Sequence, residues 1–227
     1  MKRLVITGSE GLIGKKLAAH FEKEYEVLRL DRTLGHDLTD EKFVAEWFAK
    51  NTGLYGIIIC HAYNPVPLKG TTKRIEPTEV PLSEIRDYFE VNSVSAFDIC
   101  RHFIKNNKSG SIINITSLYG RLSPKHHIYK DFVKHIGYSM SKAALSAMTR
   151  YLATYYAPDI RVNAVLFGGV ADPNQDADFV SNYSSHTPMK RMLRSDEILS
   201  VFEFLLDERS SYVTGTEIVV DGGWTAW

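Results

Sequence analysis

The order of apolar runs along the chain is the feature that most restricts its fold. Six short runs are typical of buried strands, and most of them are separated by segments with helical apolar spacing. The predicted strands are RLVITG, YEVLRLD, YGIIICHA, GSIINITS, IRVNAVLF and TEIVVDGG. Strands that alternate with helices indicate a parallel sheet with helices on both faces. Because parallel crossovers are right-handed, the pattern predicts an α/β doubly wound parallel sheet.

Helical spacing appears in five segments. They are residues 11–24, residues 39–51 with Thr39 as the expected N-cap, residues 83–106, a segment that carries Tyr138 and runs to Tyr156, and residues 195–208. The residues between IRVNAVLF and the last of these helices are assigned to a loop region. Residues 63–81, with four prolines, and residues 118–137 are predicted to be irregular.

One connection is unusually short. Only five residues, RTLGH, separate Asp31 from Asp37. No helix fits into this space, so the second crossover must be shortened or absent. We therefore expect a weak or missing edge strand on that side of the sheet.

Length and charge exclude several classes of protein. A chain of 227 residues is long enough for one large core, and residues 1–227 are interpreted as a single domain. Lysine plus arginine and aspartate plus glutamate balance at 27 each, which indicates neither a nucleic-acid nor a membrane partner. No apolar run is long enough for a membrane helix or a signal sequence. Cys60 and Cys100 have no zinc-like spacing, and a reducing, cytoplasmic location fits best.

A glycine-rich turn joins the first predicted strand to the first predicted helix. Gly8, Gly11 and Gly14 lie three residues apart. Such glycines permit a tight turn and a close approach of backbone to phosphate, and the helix N-terminus offers free N–H groups to a pyrophosphate. An ordinary loop is the alternative, but the strand-to-helix context is the one that a dinucleotide site requires.

Asp31 ends the second predicted strand, 17 residues after Gly14. A carboxylate at this place can accept both adenosine ribose hydroxyls and repel a 2′-phosphate. Glu10 adds a second carboxylate, whereas the positive charge of Arg32 slightly favours binding of a 2′-phosphate. The pattern predicts NAD(H) as the preferred cofactor and NADP(H) as the less favoured one. The alternative for Asp31 is an ordinary turn residue at a strand end.

Tyr138 and Lys142 are four residues apart on one face of a predicted helix. An ammonium near a phenol favours the phenolate and so lowers the pKa of the phenol. A shift of roughly three units from pH ~10 needs about 4 kcal/mol, which one lysine rarely supplies. A second positive charge should therefore lie close to Tyr138. The alternative is an incidental tyrosine beside a lysine that reaches towards solvent.

The chain resembles the short-chain dehydrogenase/reductase family, whose Rossmann-type fold has one domain, over essentially its whole length. The matching segments are TGSEGLIG, HDLTD, VNSVSA, GSIINITSLYG, YSMSK, IRVNAV and YVTGTEIVVDGG. The resemblance implies that Tyr138 is the general acid/base and that Lys142 lowers its pKa and holds the nicotinamide ribose. It also implies that Ser117 orients the substrate carbonyl and that Asn92 holds a water linked to Lys142. The second positive charge would be the oxidised nicotinamide ring.

The same resemblance implies further contacts with the cofactor. Asp37 matches a position that contacts adenine, and Val170 could reach the carboxamide through its backbone. The other expected cofactor residues are Gly8, Gly11, Leu12, Ile13, Gly14, Asp31, Arg32, Leu38, His61, Ala62, Thr116, Tyr138, Lys142 and Gly168. Purely structural roles are the alternatives: Ser117 could be a turn residue at a strand end, and Asn92 a helix residue bonded to backbone.

Several departures from the family pattern are expected to matter. The glycine spacing is similar to that of larger, sugar-nucleotide-modifying members. The segment CHAY replaces an Asn-Asn-Ala-Gly-like run, so its usual side-chain hydrogen bonds should be missing. In LFGGVAD, Phe167 stands for a proline and Asp172 for a threonine. Twenty residues separate Ser117 from Tyr138, which is more than the family usually has. Together these features are similar to bacterial members linked to flagellin-glycan and nonulosonic-acid pathways.

No metal site is predicted. His126, His127 and His135 cluster in one segment, but their spacing matches no known ligand pattern. We interpret all three as exposed loop histidines.

The leading functional hypothesis is an NAD-dependent oxidoreductase that interconverts a secondary alcohol and a ketone on a polar, sugar-like substrate. A sugar-nucleotide epimerase or dehydratase with tightly held NAD, and a dinucleotide-sensing protein without catalysis, remain as alternatives. By the family resemblance, the chain forms a dimer or tetramer. The two irregular segments should border the substrate, because ligands bind at the carboxyl ends of the strands. They contain seven basic residues (Lys69, Lys73, Arg74, Arg121, Lys125, Lys130 and Lys134) against three acidic ones (Glu76, Glu79 and Asp131), which favours an anionic substrate.

Overall fold

Six parallel strands form one sheet at the centre of the protein. The structure, a computed structural model, describes residues 1–65, 75–129 and 132–227. The strands are β1 Lys2–Thr7, β2 Tyr25–Leu30, β3 Gly56–Ile59, β4 Gly110–Ser117, β5 Ile160–Phe167 and β6 Glu217–Val220. They pair in the order β2-β1-β3-β4-β5-β6. The predicted single-domain, doubly wound parallel sheet is therefore confirmed, and every predicted strand is present.

Helices cover both faces of the sheet. They are α1 Leu12–Phe21, α2 Glu41–Lys50, α3 Leu82–Phe89, α4 Ser95–Asn106, α5 Ile136–Tyr156, α6 Ala177–His186 and α7 Leu199–Leu206. A π-helical turn, Glu90–Val94, joins α3 to α4, so the helix predicted over 83–106 is one helical run with a π turn inside it. The last predicted helix, 195–208, is shorter than expected, because residues 195–198 form a turn and the helix ends at Leu206.

Two apolar cores hold the helices against the sheet. Helices α2, α4 and α5 bury residues such as Phe48, Phe103 and Leu145 on one face, where they pack on β1, β3, β4 and β5. Helices α1 and α7 bury Leu17 and Phe202 on the other face. Burial of apolar surface on both sides explains why the strand sequences are almost continuously apolar rather than alternating.

The short connection after β2 ends the sheet on that side. Residues Arg32–Leu34 form a 3₁₀ turn, and Gly35 follows it with a φ of 83°. The chain then passes directly to α2 and β3, which lies on the opposite side of β1. In the described ranges no strand lies outside β2, which confirms the expected missing edge strand. Five residues are too few to cross the sheet and return.

Helix α6 lies in the region that the sequence assigns to a loop. It begins after Asp176, whose side chain accepts a hydrogen bond from the backbone N–H of Phe179. Its sequence, ADFVSNYSSH, is rich in serine and asparagine, which are weak helix formers. Burial of Phe179 and Tyr183 against the carboxyl end of the sheet stabilises it, and only the capping aspartate could have indicated it from sequence.

The chain reverses its direction across the sheet between β1 and β3. From β1 it moves to β2 at one edge, and from β3 it moves stepwise to β6 at the other. The loops after β1 and β3 therefore separate, and a crevice opens at their carboxyl ends. Ligands of open α/β sheets bind in such a crevice.

Two further expectations drawn from composition concern membrane-spanning helices and the cysteines. In the parts of the chain that the structure describes, no helix combines the length and apolar character needed to cross a bilayer. Cys60 and Cys100 are both free thiols. Burial raises the pKa of each thiol to about 12, so neither is a reactive thiolate at neutral pH.

The N-cap of α2 corrects a prediction. Asp40, not Thr39, caps the helix, because its carboxylate accepts hydrogen bonds from the N–H groups of Lys42 and Phe43. The Thr39 hydroxyl instead donates to Asp37, at 2.7 Å. A carboxylate at the cap also interacts favourably with the positive end of the helix, which explains why Asp40 prevails.

The cap assignment can be tested by two alanine variants. Asp40→Ala should lower the free energy of unfolding by about 1 kcal/mol, because two N–H groups at the start of α2 lose their acceptor. Thr39→Ala should cost less, since Thr39 lies outside the helix. Urea denaturation of both variants measures the difference. Equal losses, or a larger loss for Thr39→Ala, would contradict this assignment.

Candidate active site

The glycine loop forms the floor of the crevice after β1. Gly8 has a φ of 61°, and its carbonyl accepts a hydrogen bond from the N–H of Gly11. Gly11 occupies the N-cap position of α1, and no side chain caps the helix there. The first N–H groups of α1 therefore have no side-chain acceptor, which is the arrangement that binds a pyrophosphate.

Close packing explains why two of the three glycines are needed. A Cβ atom on Gly14 would lie 2.0 Å from the carbonyl oxygen of Gly8, and one on Gly8 would lie 2.7 Å from the backbone of His61. A Cβ on Gly11 would meet that same Gly8 oxygen only at 3.4 Å, an ordinary contact. The loop is thus pressed against both α1 and the end of β3, and it leaves its outer face open for a ligand.

Asp31 is held at the end of β2 by three hydrogen bonds. Its Oδ1 accepts from the N–H and hydroxyl of Thr33, and its Oδ2 accepts from the N–H of Glu10 at 3.0 Å. Burial opposes ionisation, but these hydrogen bonds prevail and lower the pKa of Asp31. The carboxylate is therefore charged and fixed beside the glycine loop.

The charge of Glu10 is offset. Its Oε1 lies 2.9 Å from a guanidinium nitrogen of Arg29, so Glu10 does not act as the free second carboxylate that the sequence suggested. Arg32 is exposed on the turn after β2. The Asp37 carboxylate turns back to the N–H and hydroxyl of Thr39, which lower its pKa. Leu38 is buried in the apolar core beside α2.

Ser117 and Tyr138 meet at the end of β4. Ser117 is the last residue of that strand, and its hydroxyl accepts a hydrogen bond from the N–H of Tyr119. Tyr138 lies in the first turn of α5. Burial raises the pKa of Tyr138, and a hydrogen bond with the Ser117 side chain acts in the opposite direction. The lowering effect therefore comes from Ser117 rather than from Lys142, to which the sequence assigned it, and desolvation is the larger effect.

Lys142 lies one turn further along α5. It is buried, and its Nζ donates a hydrogen bond to the carbonyl of Ile115 in β4, at 2.7 Å. Burial lowers the pKa of Lys142 to about 8. An ammonium has three donors, so two remain for a ligand in the crevice.

Asn92 lies in the π-helical turn between α3 and α4. Its Oδ1 accepts from the N–H of Tyr63, and its Nδ2 donates to the Tyr63 carbonyl and to the hydroxyl of Ser141 on α5. The side chain thus ties the loop after β3 to the helix that carries Tyr138. Its expected water-holding role stays a prediction.

His61 departs from the expectation for the segment CHAY. Its ring nitrogens lie 2.8 Å from the hydroxyl of Thr7 and 2.9 Å from that of Ser95. Burial lowers the pKa of His61 to about 4, so the ring is neutral. The segment therefore has side-chain hydrogen bonds of its own, which join β1 to α4. Only the backbone of His61 and the neighbouring Ala62 remain for a cofactor.

One cavity of about 250 Å³ joins the glycine loop to Tyr138. Eleven of the predicted residues line it: Gly8, Gly11, Leu12, Ile13, Ala62, Thr116, Ser117, Tyr138, Lys142, Gly168 and Val170. The other seven do not: Gly14, Asp31, Arg32, Asp37, Leu38, His61 and Asn92. Among these, Gly14, Asp31 and His61 contact residues of the glycine loop, and Asn92 contacts Tyr63 and Ser141. Asp37 and Leu38 instead face Thr39 and the core.

Lys134 is the site residue that sequence reasoning misplaced. The sequence places it among the cations of an irregular loop, yet it is only 7% exposed and lines the same cavity as Tyr138. Four other residues in that count, Lys69, Lys73, Arg74 and Lys130, lie outside the described residues, as does Asp131. The sequence carries no apolar periodicity around Lys134 that would have indicated its burial.

His135 also corrects a prediction. It is not an exposed loop histidine, because its ring stacks on Tyr88 with centroids 4.5 Å apart and it caps α5 through the N–H of Gly137. His126 and His127 are exposed, as expected. Across the described ranges, no group of three or more histidine, cysteine or acidic side chains could hold a metal ion.

Comparison with known proteins identifies the family. The family model described as enoyl-(acyl carrier protein) reductase matches residues 4–225. A short-chain dehydrogenase from Leptospira borgpetersenii, solved with bound NAD⁺, superposes with a TM-score of 0.83 at 28% identity, covering 99% of this chain and 92% of that one. The chain belongs to the short-chain dehydrogenase/reductase family. Members of this family use nicotinamide dinucleotides, and the cavity and glycine loop fit such a cofactor.

Other short-chain dehydrogenase/reductase proteins are similar along most of their length. Glucose 1-dehydrogenase of Gluconobacter oxydans is 28% identical over 262 residues, with 100% of this chain and 92% of that protein covered. The post-translational flagellin modification protein A of Campylobacter coli is 28% identical, with 94% and 83% covered. A small-chain dehydrogenase solved with NADPH superposes with a TM-score of 0.81 at 25% identity, covering 100% and 99%.

The packing of the glycine loop predicts unequal effects of two alanine variants. Gly14→Ala should lower the free energy of unfolding by about 1–3 kcal/mol and abolish dinucleotide binding, because its Cβ would overlap the Gly8 carbonyl. Gly11→Ala, the matched control, should stay within about 1 kcal/mol of the wild type. Urea denaturation and NADH fluorescence titration measure both effects. A wild-type stability and affinity for Gly14→Ala would show that the loop can relax.

Proposed function

We propose that this protein is an NAD-dependent oxidoreductase that interconverts a secondary alcohol and a ketone on a polar, sugar-like substrate. The observation that carries the proposal is the shared cavity, in which Ser117, Tyr138 and Lys142 lie beside the glycine loop. A proton donor and a dinucleotide site in one cavity suit hydride transfer coupled to proton transfer.

Tyr138 serves as the general acid and base at the reacting oxygen. In ketone reduction its hydroxyl gives a proton to the developing alkoxide, and in alcohol oxidation its phenolate takes that proton back. Ser117, hydrogen-bonded to Tyr138, orients the same oxygen. Lys142 uses its two remaining donors for the nicotinamide ribose, and its charge favours the phenolate. Asn92 holds the loop after β3 against α5 through hydrogen bonds to Tyr63 and Ser141.

A nicotinamide dinucleotide supplies or accepts the hydride when it is bound in this cavity. The N–H groups at the start of α1, near Leu12 and Ile13, would hold its pyrophosphate. Asp31 favours NAD(H), because a carboxylate accepts about four hydrogen bonds and three are already made within the chain. One acceptor position is left for a ribose hydroxyl, whereas a 2′-phosphate would meet a fixed negative charge.

Polar groups on the cavity wall favour a hydroxylated substrate. Tyr129, Asn64 and Gln175 line the cavity together with the apolar side chains of Phe179 and Met192. Two relatives have names that point the same way, namely glucose 1-dehydrogenase of Gluconobacter oxydans and D-arabinitol 2-dehydrogenase of Candida tropicalis, which is 32% identical over 70% of this chain. We expect turnover with keto-sugars or sugar alcohols to exceed that with apolar ketones.

Replacement of Tyr138 by phenylalanine tests the chemistry. Tyr138→Phe removes the transferable proton and little volume, so kcat should fall about 10²–10⁴-fold while NADH binding stays nearly intact. NADH absorbance with a panel of keto-sugars and apolar ketones measures turnover, and fluorescence titration measures binding. If the variant kept half of the wild-type rate, Tyr138 would not be the acid/base. Preferred turnover of apolar ketones would contradict the substrate class.

Cofactor preference tests the role of Asp31. Placing a 2′-phosphate against this carboxylate should favour NADH over NADPH in kcat/KM by at least about tenfold, or about 1.4 kcal/mol. Asp31→Ser should narrow the ratio, whereas Asp37→Ser, which removes an exposed carboxylate from the same connection, should change it less. Equal use of both cofactors by the wild type would mean that Arg29 or Arg32 outweighs Asp31.

A further inference from the structure

Lys134 places a second buried ammonium beside the proposed acid/base. Its Nζ lies 4.0 Å from the centroid of the Tyr138 ring, and the side chain is almost wholly buried. Lys134 precedes the first turn of α5 and lies four residues before Tyr138, whereas Lys142 lies four residues after it. The phenol is therefore flanked in sequence by two lysines.

The hydrogen bonds of Lys134 indicate what it acts on. Its ammonium donates to the side-chain oxygen of Asn64 and, at 3.0 Å, to the carbonyl of Pro65. An ammonium has three donors, and the ring of Tyr138 is the third neighbour. No donor is left for a substrate anion, so the direct effect of the charge falls on Tyr138.

Within the described part of the chain, Lys134 forms no ion pair. The titratable groups packed around it and Tyr138 are Lys142, Cys60, Tyr63, Tyr88, Tyr119, Tyr129, Tyr183, Glu84, His135 and Asp172. Burial raises the pKa of Tyr88, Tyr119 and Tyr129, which keeps these phenols neutral.

The two carboxylates of this group are engaged elsewhere. Glu84 lies 3.3 Å from the ring nitrogen of His135, and Asp172 accepts a hydrogen bond from the N–H of Asn174. Burial, together with the charge of Lys142, lowers the pKa of Lys134 to about 7. A phenolate at Tyr138 is thus the anion best placed to stabilise the Lys134 charge, and the stabilisation is mutual.

We propose that Lys134 is a positioning residue whose positive charge stabilises the phenolate of Tyr138, in addition to the charges of Lys142 and of the oxidised nicotinamide ring that the family resemblance implies. The proposal rests on the proposed function of Tyr138. In alcohol oxidation the proton of the substrate hydroxyl moves to the Tyr138 oxygen, and Lys134 keeps its own protons throughout. Its charge offsets the cost of burying the phenolate, which a single lysine offsets only in part.

The direction of the pH effect follows from the charge. An opposite charge at this distance moves a pKa by about 1–3 units, so Lys134→Met should raise the pKa of Tyr138 by about that much. Oxidation needs the phenolate, so the rise of kcat/KM with pH should move to higher pH. Reduction needs the phenol, so the pH at which kcat/KM for reduction falls should also move to a higher value. Oxidation at neutral pH should therefore drop at least about tenfold, while reduction persists.

The experiment compares pH profiles of kcat/KM in both directions for the wild type and four variants, one of which is Lys134→Met. Lys134→Arg should restore a profile close to that of the wild type, because it keeps the charge. Lys125→Met is the matched control: Lys125 lies over the ring of Trp224, so the loss of its charge should leave the profile in place. Asn64→Ala removes one anchor of Lys134 but retains the charge, so its profile should move less than that of Lys134→Met.

A spectroscopic titration keeps this test separate from that of the proposed function. The difference in phenolate absorbance between each protein and its Tyr138→Phe counterpart reports the pKa of Tyr138 without turnover. A higher pKa in Lys134→Met supports the proposal even if the activity of the wild type proves to be of another kind. An unchanged pKa in a folded Lys134→Met variant would overturn it. So would a variant whose only defect is a raised KM for charged substrates, which would make Lys134 a substrate-binding residue.

Discussion

The hydrogen bond from Lys142 to the carbonyl of Ile115 fixes α5 against the carboxyl end of β4. A buried ammonium must find acceptors, and the end of a parallel strand provides one where the helix passes. This bond places Tyr138, one turn earlier, next to Ser117, the last residue of the same strand. Within the described residues, a hydrogen bond between Asn114 and Thr149 joins the same strand and helix, and Leu145, Leu152 and Ala153 of α5 pack in the core on that face of the sheet.

Desolvation dominates the electrostatics of this cavity. It raises the pKa of Tyr138 and lowers that of Lys134 to about 7 and that of Lys142 to about 8. Burial thus favours the neutral form of each group. Under the proposed function, a phenolate at Tyr138 would offset part of this cost for the two ammonium groups, and the ionisation of all three would be coupled.

The departures from the family pattern change the segments around the cavity more than they change Ser117, Tyr138 and Lys142. The short turn after β2 removes an edge strand but leaves Asp31 beside the glycine loop. His61 supplies hydrogen bonds to Thr7 and Ser95 in a segment that lacks the usual asparagines. Residues before α5 fold inward, where Ile128, Tyr129 and Phe132 pack beneath the cavity. Local substitutions of this kind preserve the crevice because they replace one set of buried contacts by another.

The sequence by itself determined the order of strands and helices, the glycine loop, and the spacing of Tyr138 and Lys142. These features are local, since they depend on the apolar period, on glycine geometry and on the pitch of one helix. The sequence even required a second positive charge near Tyr138. The family resemblance assigns that charge to the oxidised nicotinamide ring, and only the tertiary structure showed that the ammonium of Lys134 also lies beside Tyr138, because its partners Asn64 and Pro65 are distant in sequence. For the same reason it alone showed α6, the Asp40 cap and the pairing of Glu10 with Arg29. Contacts between distant segments decide such features, and no periodicity records them.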